Sequence, residues 1–490
     1  MATMEPFYST LDLFVLTKPI NFPAKFIERI EKDLPSDLSL ASFKAIFQQP
    51  MRKSIRVNTL KTDVQQFTQL AKNNGWQLEP IPWCEEGFWI ERENENVSLG
   101  NTAEHMAGLF YIQEASSMLP VSALFHCFDA NNDSLLLDAA AAPGSKTTQM
   151  AAKLKGQGAI VANEFSASRV KVLSANLLRC GVTNAAITHF SAEVFGTWMT
   201  EKFDAILLDA PCSGEGTLRK DPQALDNWSE QHVESIATLQ SELLASALHA
   251  LKPGGTVIYS TCTLNQQENQ QVIDKVNLQY PNSFEPISLS QLFPDCQKAI
   301  TPEGYLHVWP QRFNSEGFFV AALRKSDQSM PTEVIKKRIK PFAYKAASAK
   351  QTSAIQLHFS QSFGLTLPTD YSVFIKGSDY WLLPNSFLLV KDEMRFERVG
   401  VKLAEEFKHG FRTSHDAITA LGANISNNLI ELNGQQAHEF YQGKDIAYPN
   451  ANKGEVALSY QGQVIGLGKW IRNKIKNSYP RELVKDKGLA

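Results

Sequence analysis

SLLLDAAAAPGSKTTQMAAKLKGQGAIVANEF, residues 134–165, is the stretch of sequence that decides the fold. It opens with a short β-rich apolar run that ends at Asp138, continues through small residues, and reaches a helical segment near Thr147. A second β-rich run follows and ends at Asn163-Glu164-Phe165. This order predicts a strand, a helix and a parallel strand, the repeating unit of a doubly wound α/β sheet.

The same alternation continues to about residue 325. Three further strands are predicted at AAITHF, FDAILLDA and TVIYSTC, with helices at SRVKVLSANLLRCG and HVESIATLQSELLASALHALKPGG. The runs YLHVWPQRF and GFFVAALRK have only a short turn between them, which predicts an antiparallel hairpin at one edge of the sheet. Residues 126–325 are therefore expected to form a Rossmann-like α/β domain.

Three flanking regions complete the predicted organisation. Residues 1–125 contain the strand SIRVNTL and an amphipathic helix, and are expected to form a small α/β domain. Residues 326–389 begin with a stretch rich in Lys and Arg and are expected to be a basic linker or intermediate domain. Residues 390–490 are expected to form a compact β-rich domain. Its last part carries basic and aromatic side chains: Lys469, Trp470, Arg472, Lys474, Lys476, Tyr479 and Arg481.

Composition narrows the class of protein. The chain has 490 residues, 43% of them hydrophobic, and a net charge of −3, so it can bury several cores while its total charge indicates no partner. Its six cysteines show neither C-x-x-C pairs nor zinc-ligand spacing, which predicts free thiols in a reducing compartment and no metal site. No signal peptide or bilayer-spanning segment is recognisable, so we expect a cytoplasmic protein without a membrane partner.

The first two strand ends predict a ligand site. The residues from Ala139 to Ser145 are nearly all small, so a ligand can approach the backbone, and the following helix N-terminus can bind a carboxylate. A P-loop is disfavoured because Lys146 follows Ser145 and the earlier Gly is absent. Glu164 can accept hydrogen bonds from both hydroxyls of a ribose. The alternative is that the loop is only a tight turn between strand and helix and that Glu164 is an exposed residue of a turn, with no ligand at either.

Two cysteines follow neighbouring strands of the predicted sheet. The fourth strand ends in Asp209-Ala210-Pro211-Cys212 and the fifth in Thr261-Cys262, so both thiols are expected at the same edge. A thiolate that adds to carbon 6 of a cytosine makes carbon 5 nucleophilic toward a methyl donor. A carboxyl such as Asp209 can then stabilise the adduct, and a base must remove the carbon-5 proton. Lone buried cysteines are usually structural, but this pair is less easily explained in that way.

The motifs resemble one family of enzymes. AAAPGSKT, DAPCSGEG and STCT are similar to the cofactor loop and the two cysteine motifs of the Nol/Nop/Sun family of RNA cytosine-5 methyltransferases. Arg56-Val57-Asn58 and EGFFVAAL (316–323) resemble two further motifs of that family, and the resemblance runs from about residue 50 to 325. Within the family, the bacterial enzymes that methylate a cytosine of 16S ribosomal RNA are the most similar. The C-terminal region looks like a PUA-type RNA-binding domain.

The resemblance implies a role for each motif. It makes Cys262 the nucleophile and Cys212 the group that assists product release, and it places Asp209 at the target base beside the cofactor. The implied cofactor is S-adenosyl-L-methionine, with Glu164 at its ribose. Its methionine part would be wrapped by Ala140, Ala141, Ala142, Pro143, Gly144, Ser145 and Lys146. The implied partner is 16S ribosomal RNA or the small ribosomal subunit, bound by a monomer.

One departure from the family and three alternatives stand beside this interpretation. Ser191 occupies the position where relatives commonly place an Asp that contacts the adenine amino group, so we expect weaker, but not abolished, cofactor binding. Methylation of transfer RNA or DNA is one alternative, although the additional Thr-Cys motif favours RNA. The second is a non-catalytic RNA-binding factor of ribosome assembly, and the third, more distant, is a phosphate-binding NTPase.

Overall fold

The computed structural model describes residues 20–327, 330 and 341–484. Four β-sheets with helices packed against them make up the fold of these residues. The N-terminal stretch 1–19, in which no signal peptide was recognised, lies outside the described residues, as does most of the basic stretch predicted as a linker. Within the described ranges, no helix has both the length and the apolar character needed to cross a bilayer.

The N-terminal part of the chain forms an antiparallel sheet with helices around it. Its elements are α1 (Ala24–Asp33), α2 (Leu40–Ile46), β1 (Ser54–Val57), α3 (Val64–Asn73), β2 (Trp76–Ile81), β3 (Cys84–Arg92), α4 (Ala103–Met106) and β4 (Phe110–Ile112). The strand order is β2-β3-β1-β4. The predicted strand and helix are confirmed as β1 and α3. Asp63 caps α3, because its carboxylate accepts a hydrogen bond of 2.7 Å from the Gln66 amide.

The central part contains the predicted alternation of strands and helices. Its elements are α5 (Leu119–Cys127), β5 (Leu135–Asp138), α6 (Ser145–Lys153), β6 (Ala159–Asn163), α7 (Ala167–Arg179), β7 (Ala185–Thr188), α8 (Phe195–Trp198), β8 (Phe203–Asp209), α9 (Glu230–Ala250), β9 (Leu251–Thr261), α10 (Gln270–Gln279), β10 (Phe284–Ile287), β11 (Leu306–Val308), α11 (Pro310–Phe313) and β12 (Phe318–Lys325). The strands lie in the order β10-β12-β9-β8-β5-β6-β7, and β11 pairs with β12.

This sheet confirms the predicted Rossmann-like class. Strands β9, β8, β5, β6 and β7 are parallel, and β12 runs antiparallel to β9. The predicted hairpin is confirmed as β11 and β12, but it does not form the outermost edge, because β10 pairs with β12 beyond it. The run FEPI of β10 has an exposed Glu and a Pro in its middle, so it lacks the periodicity that would have revealed a strand.

Strand alternation distributes the side chains of the central sheet over two cores. In β8, Ile206 and Leu208 face one core, whereas Ala205 and Leu207 face the other. A sheet buried on both faces explains why its strands are continuously apolar in the sequence. Helix α9 covers the first face and begins at Ser229, whose hydroxyl accepts a hydrogen bond of 3.1 Å from an amide of the first turn.

A third sheet follows the central domain. Its region contains β13 (Lys345–Ala346), α12 (Ala349–Phe363), β14 (Tyr371–Lys376), β15 (Asp379–Pro384), β16 (Arg398–Val399), β17 (Val401–Phe407), β18 (Gly410–Thr413) and α13 (His415–Ala420). The sheet order is β13-β14-β15-β17-β18, while β16 pairs with β7 and extends the central sheet. The domain boundary predicted at residues 389 and 390 therefore falls inside this sheet, between β15 and β17.

The last sheet packs against the first part of the chain. It contains β19 (Leu429–Leu432), α14 (Gly434–Tyr441), β20 (Ile446–Ala447), β21 (Gly454–Tyr460), β22 (Gln463–Ile471) and β23 (Lys474–Asn477), in the order β19-β21-β22-β23-β20. Phe67 and Phe110 of the N-terminal sheet share one core with Phe440 and Tyr441 of α14. The C-terminal sheet is therefore held against the N-terminal sheet rather than on a free tether.

Candidate active site

The two predicted cysteines meet at the carboxyl edge of the central sheet. Asp209 of β8 pairs in register with Ser260 of β9, so Cys212 and Cys262 both lie just beyond the strand ends. Their sulfur atoms are 3.2 Å apart, and both side chains are half-buried. Hydrogen bonding to Cys262 and burial raise the pKa of the Cys212 thiol well above its ordinary value. Cys212 thus retains its proton at neutral pH and can donate it to the neighbouring sulfur.

A charged pair stands beside the cysteines. The Lys146 ammonium lies 2.6 Å from Asp209 Oδ2, and Asp209 Oδ1 accepts a hydrogen bond of 2.7 Å from Ser260 Oγ. Burial acts to lower the pKa of Lys146, but the charge of Asp209 and the hydrogen bond to it outweigh burial, so the pKa is raised. Lys146 is therefore charged at neutral pH and forms an ion pair with Asp209. The structure directs the Lys146 ammonium to Asp209 and Ser117 Oγ, although the residue belongs to the predicted cofactor loop.

The predicted cofactor loop follows β5 as a close-packed turn. Gly144 has a φ of +108°, a region that side chains rarely adopt, and α6 begins at the next residue. The Ala141 amide donates to Asn163 O at 2.7 Å, which fixes the turn against the end of β6. Ala141 and Ala142 are buried, Ala140 and Ser145 are half-buried, and Pro143 is exposed. The structure thus brings these seven residues together as one turn and the start of a helix.

Glu164 lies next to this turn. Its carboxylate accepts hydrogen bonds from the Ala142 amide at 3.3 Å and the Ser166 amide at 2.8 Å, and Arg169 lies 3.5 Å from it. The side chain is only 3% exposed, so the alternative of an exposed turn glutamate is wrong. Each carboxylate oxygen has two lone pairs, so acceptor capacity remains for a ligand.

Two buried carboxyl groups lie beneath the cysteines. Glu268 accepts hydrogen bonds from the Ser213 amide at 2.9 Å, Gln240 Nε2 at 3.1 Å and Asn265 Nδ2 at 2.6 Å. Glu215 accepts hydrogen bonds from the Trp228 indole at 2.7 Å and the Thr263 hydroxyl at 2.9 Å, and burial raises its pKa. These bonds tie the loop of Cys212 to that of Cys262. Sequence reasoning quoted Glu215 only as part of a motif and missed Glu268, because neither acid marks a strand end.

Two glycines allow the cysteine loops to pack backbone to backbone. The Gly216 amide donates to Cys262 O at 2.9 Å, and the Gly317 amide donates to Gly216 O at 3.0 Å. A Cβ atom on Gly216 would lie 2.3 Å from Gly317 O and 2.8 Å from Cys262 O. Since backbone atoms cannot yield as a flexible side chain can, no larger residue fits at Gly216 without separating the loops.

Gly216→Ala should therefore destabilise the protein. We expect the free energy of unfolding to fall by about 1–3 kcal/mol, because an added methyl group overpacks a site that backbone atoms enclose. Denaturant unfolding of the purified variant measures this change. Gly100→Ala is the matched control, since its Cβ would only reach Ile112 Cδ1 at 3.8 Å. Equal stability of the two variants would contradict the prediction.

The upstream Arg-x-Asn motif holds the N-terminal sheet to the cofactor loop. Arg56 is only 1% exposed, and its guanidinium donates to Thr148 Oγ1 at 2.7 Å and Ser145 O at 3.2 Å. Asn58 Nδ2 donates to Gly108 O and Cys180 O, each at 2.8 Å. The motif thus joins β1 to the first turn of α6 and to Cys180, the residue that follows α7. Cys180 itself is buried.

The C-terminal basic residues lie on β22, on β23 and in the turn between these strands. We call Lys469, Arg472, Lys474 and Lys476 the basic edge; all four side chains are exposed. Lys469 is directly opposite Lys476 on β23 and Glu455 on β21.

The aromatic residues between these charges are engaged in packing. Trp470 donates its indole N–H to Tyr448 O at 2.9 Å and packs at the core shared with the N-terminal sheet. Tyr479 makes ring contacts with Phe440 and Tyr441. This packing makes Trp470 part of the core rather than a free surface on which a base could stack.

Family comparisons agree in covering nearly the whole chain. The profile described as 16S rRNA methyltransferase RsmB/F matches residues 126–324, and that of the N-terminal domain of 16S rRNA methyltransferase RsmF matches residues 22–115. The pre-PUA domain of ribosomal RNA small subunit methyltransferase F matches residues 344–421, and the RsmF PUA domain matches residues 427–485.

Individual relatives give the same result. The chain is 51% identical to ribosomal RNA small subunit methyltransferase F of Vibrio vulnificus, over 96% of this chain and 99% of that one. It is 52% identical to the protein of that name from Aeromonas hydrophila, over 95% and 98% of the two chains. Among solved structures, a methyltransferase homologue from Pyrococcus horikoshii is 31% identical with a TM-score of 0.52, over 62% of this chain and all of that one. NSun6 from Pyrococcus horikoshii, solved with SFG, is 21% identical with a TM-score of 0.54, covers 63% and 99%, and shows the fold alone.

Proposed function

The chain belongs to the family of ribosomal RNA small subunit methyltransferase F, S-adenosylmethionine-dependent enzymes, and we propose that it methylates carbon 5 of a cytosine in 16S ribosomal RNA. The observation that carries this proposal is the pair of sulfur atoms, 3.2 Å apart, at the edge of the sheet next to an ionised Lys146–Asp209 pair. Two thiols at this position have no evident structural purpose, since they form no disulfide and are half-exposed.

The residues at the first two strand ends fit S-adenosylmethionine. The turn from Ala140 to Gly144 has only small side chains and one proline, so a ligand can approach its backbone. On its other side Gly144 packs closely against α7, where a Cβ would lie 3.1 Å from Leu173. The N-terminus of α6 favours the carboxylate of the methionine part, and Glu164 retains acceptor capacity for the ribose hydroxyls. When bound, this cofactor supplies an electrophilic methyl group.

Electrostatics favour Cys262 as the nucleophile. The Lys146 ammonium interacts with Cys262, and a nearby positive charge stabilises a thiolate. Cys212, in contrast, has a raised pKa and holds its proton. Cys212 is thus suited to donate a hydrogen bond to the attacking sulfur and, later, to assist its departure.

The chain's own groups account for the steps on the base. The Cys262 thiolate adds to carbon 6 and forms a sulfur–carbon bond, which makes carbon 5 nucleophilic. After carbon 5 has gained its methyl group, a base removes the carbon-5 proton, the double bond re-forms, and the sulfur–carbon bond breaks. The Asp209 carboxylate can accept a hydrogen bond from the cytosine amino group while Lys146 and Ser260 hold it in place.

The position of Ser191 predicts moderate cofactor affinity. Its hydroxyl donates to Glu193 Oε2 at 3.0 Å, beyond the end of β7. We expect Ser191→Asp to bind S-adenosylmethionine up to about tenfold more tightly, because a carboxylate accepts a stronger hydrogen bond from an amino group than a hydroxyl does. Isothermal titration of the wild type, Ser191→Asp and the control Ser191→Ala measures the difference. No gain in the Asp variant would count against this role.

The basic edge is suited to RNA phosphates. Replacing Lys469, Arg472 and Lys476 together by Gln should weaken RNA binding and lower the slope of log affinity against log salt by about 2, since each lost contact with single-stranded RNA removes about 0.7. Filter binding at several salt concentrations measures both quantities. Lys474→Gln is the matched control, because its ammonium is already paired with Asp445 at 2.9 Å. Unchanged affinity and slope in the triple variant would refute this assignment.

Nucleoside analysis tests the proposed function directly. Purified protein and S-adenosylmethionine would be incubated with 16S ribosomal RNA, small subunits, 23S ribosomal RNA or transfer RNA, and each RNA would then be digested and assayed for 5-methylcytidine. The proposal expects the product only in 16S RNA or small subunits. Product in transfer RNA would support the first alternative. Binding of 16S RNA without any product would support a non-catalytic assembly factor.

A further inference from the structure

A buried glutamate with an unpaired carboxyl oxygen lies at the same edge as the cysteines. Glu316 immediately precedes Gly317, which is linked through Gly216 to the Cys262 carbonyl by two backbone hydrogen bonds. The residue is only 4% exposed, and its backbone amide donates to Glu114 Oε1 at 3.1 Å. Its own Oε1 atom is buried and has no partner among the residues that the structure describes. A buried acceptor left unpaired costs stability, so such an arrangement calls for a role.

Four charged groups surround this carboxyl group. Burial and the like charge of Glu114 raise the pKa of Glu316 to about 8, and the cations Lys220, Lys146 and Arg219 oppose that rise. At neutral pH the carboxyl group is therefore mostly protonated. The Lys146 ammonium interacts with both Glu316 and Cys262, so the Glu316 carboxyl group and the Cys262 thiol are both near this one cation.

Glu316 and Asp209 thus differ in their pairing at one site. The Asp209 carboxylate is held in an ion pair by Lys146, whereas Glu316 is a neutral acid that can donate a proton. The hydrogen-bonding edge of cytosine presents an amino group, which donates, and ring nitrogen 3, which accepts. An ionised carboxylate suits the amino group, and a neutral carboxylic acid suits nitrogen 3.

On the basis of the proposed function, we propose that Glu316 is a further catalytic residue, the acid that protonates nitrogen 3 of the target cytosine as Cys262 adds to carbon 6. The sulfur electron pair forms the bond to carbon 6, and the electrons of the carbon 5–carbon 6 double bond move between carbons 4 and 5. The electrons of the carbon 4–nitrogen 3 double bond move to nitrogen 3, which takes the proton of Glu316. When carbon 5 gains its methyl group, the double bond to nitrogen 3 re-forms and the proton returns to the Glu316 carboxylate.

The pH dependence of a single turnover separates this role from a structural one. Wild-type enzyme should lose rate as the pH rises through the pKa of Glu316, about 8, because the acid is then ionised. Lys146 has a raised pKa and stays charged in this range, so it does not contribute to the loss. Glu316→Gln should reduce the maximal rate about 100-fold, leave RNA affinity unchanged, and abolish the alkaline decline, since an amide has a similar shape but no acidic proton.

Glu114→Gln provides a second variant that leaves Glu316 in place. Removing the like charge should lower the pKa of Glu316, so the alkaline decline should move to lower pH. The inference is overturned if Glu316→Gln remains within threefold of the wild type or keeps the alkaline decline, or if Glu114→Gln leaves the decline where it was. Thermal unfolding shows whether Glu316→Gln folds. If it does not, the test is whether the alkaline decline in rate moves to lower pH in Glu114→Gln. Wild-type enzyme that makes no 5-methylcytidine would instead overturn the proposed function, and this inference with it.

Discussion

Cys262→Ala should form no covalent complex with RNA and should lose methyl transfer by about a thousandfold or more, whereas Cys212→Ala should accumulate a complex that survives denaturation. Removing an attacking nucleophile is among the largest single effects known in enzymes. Removing the release group instead leaves the sulfur–carbon bond formed but not broken. The measurement is denaturing gel electrophoresis of each variant after incubation with S-adenosylmethionine and 16S ribosomal RNA.

The physical basis is the raised pKa of the Cys212 thiol. Cys212 holds its proton, because hydrogen bonding to Cys262 and burial raise its pKa, while the Lys146 ammonium acts on Cys262. Only a thiolate attacks carbon 6 at a useful rate. At 3.2 Å, the Cys212 sulfur is close enough to return a proton to the departing sulfur.

Cys127→Ala is the matched control for this experiment. Cys127 is also a half-buried free thiol, but it ends α5, away from the strand ends, so its replacement should change neither adduct nor product. If instead Cys262→Ala accumulates the complex and Cys212→Ala forms none, Cys212 attacks, as in DNA cytosine-5 enzymes. If the wild type shows neither adduct nor methylation, the RNA is not the substrate in this form, and assembled small subunits are the next substrate to examine.

Asp209→Asn should lower methyl transfer by about 100- to 1,000-fold without unfolding the protein. The change removes the partner of a largely buried ammonium, and an uncompensated charge in such a position costs several kcal/mol. It also removes the ionised acceptor proposed for the cytosine amino group. Since Asp209 raises the pKa of Lys146 against the effect of burial, the variant should have a lower Lys146 pKa and lose activity at lower pH than the wild type.

Single-turnover rates from pH 6 to 10 measure both effects of Asp209→Asn. Ser260→Ala is the control, because it removes one hydrogen bond of 2.7 Å to the same carboxylate and leaves the ion pair. Its expected loss is about tenfold, the lower end of the effect of one hydrogen bond to a charged group. Activity of Asp209→Asn within threefold of the wild type would show that the pair only stabilises the fold.

Much of the central domain could be predicted from local patterns. The strand ends at Asp138, Glu164 and Asp209 follow from short apolar runs, and parallel strands necessarily place their carboxyl ends at one edge. For that reason the meeting of Cys212 and Cys262 was predictable, since their strands were expected to be neighbours. The motifs indicated the cofactor and the class of reaction. The periodicity of apolar residues gives no information about either.

Other features depend on contacts between distant parts of the chain. Strand β16 joins the central sheet by pairing with β7, more than 200 residues earlier, and its two residues carry no recognisable strand pattern. The third sheet runs across the predicted boundary at residue 390, because β15 and β17 pair on either side of it. Short strands of this kind are stabilised by the strand with which they pair, and the local sequence does not identify that strand.

The sequence by itself determined the doubly wound sheet, the order of its motifs and the edge at which its chemistry lies, because strand and helix periods and strand-end residues are local properties of the chain. Only the tertiary structure decided the protonation and pairing of the groups at that edge. Glu268 is buried beneath the cysteines, Glu316 Oε1 has no partner among the described residues, and Lys146 is directed to Asp209. Burial and charge come from residues far apart in sequence, so the pKa of a carboxyl or thiol group is settled only when the chain has folded.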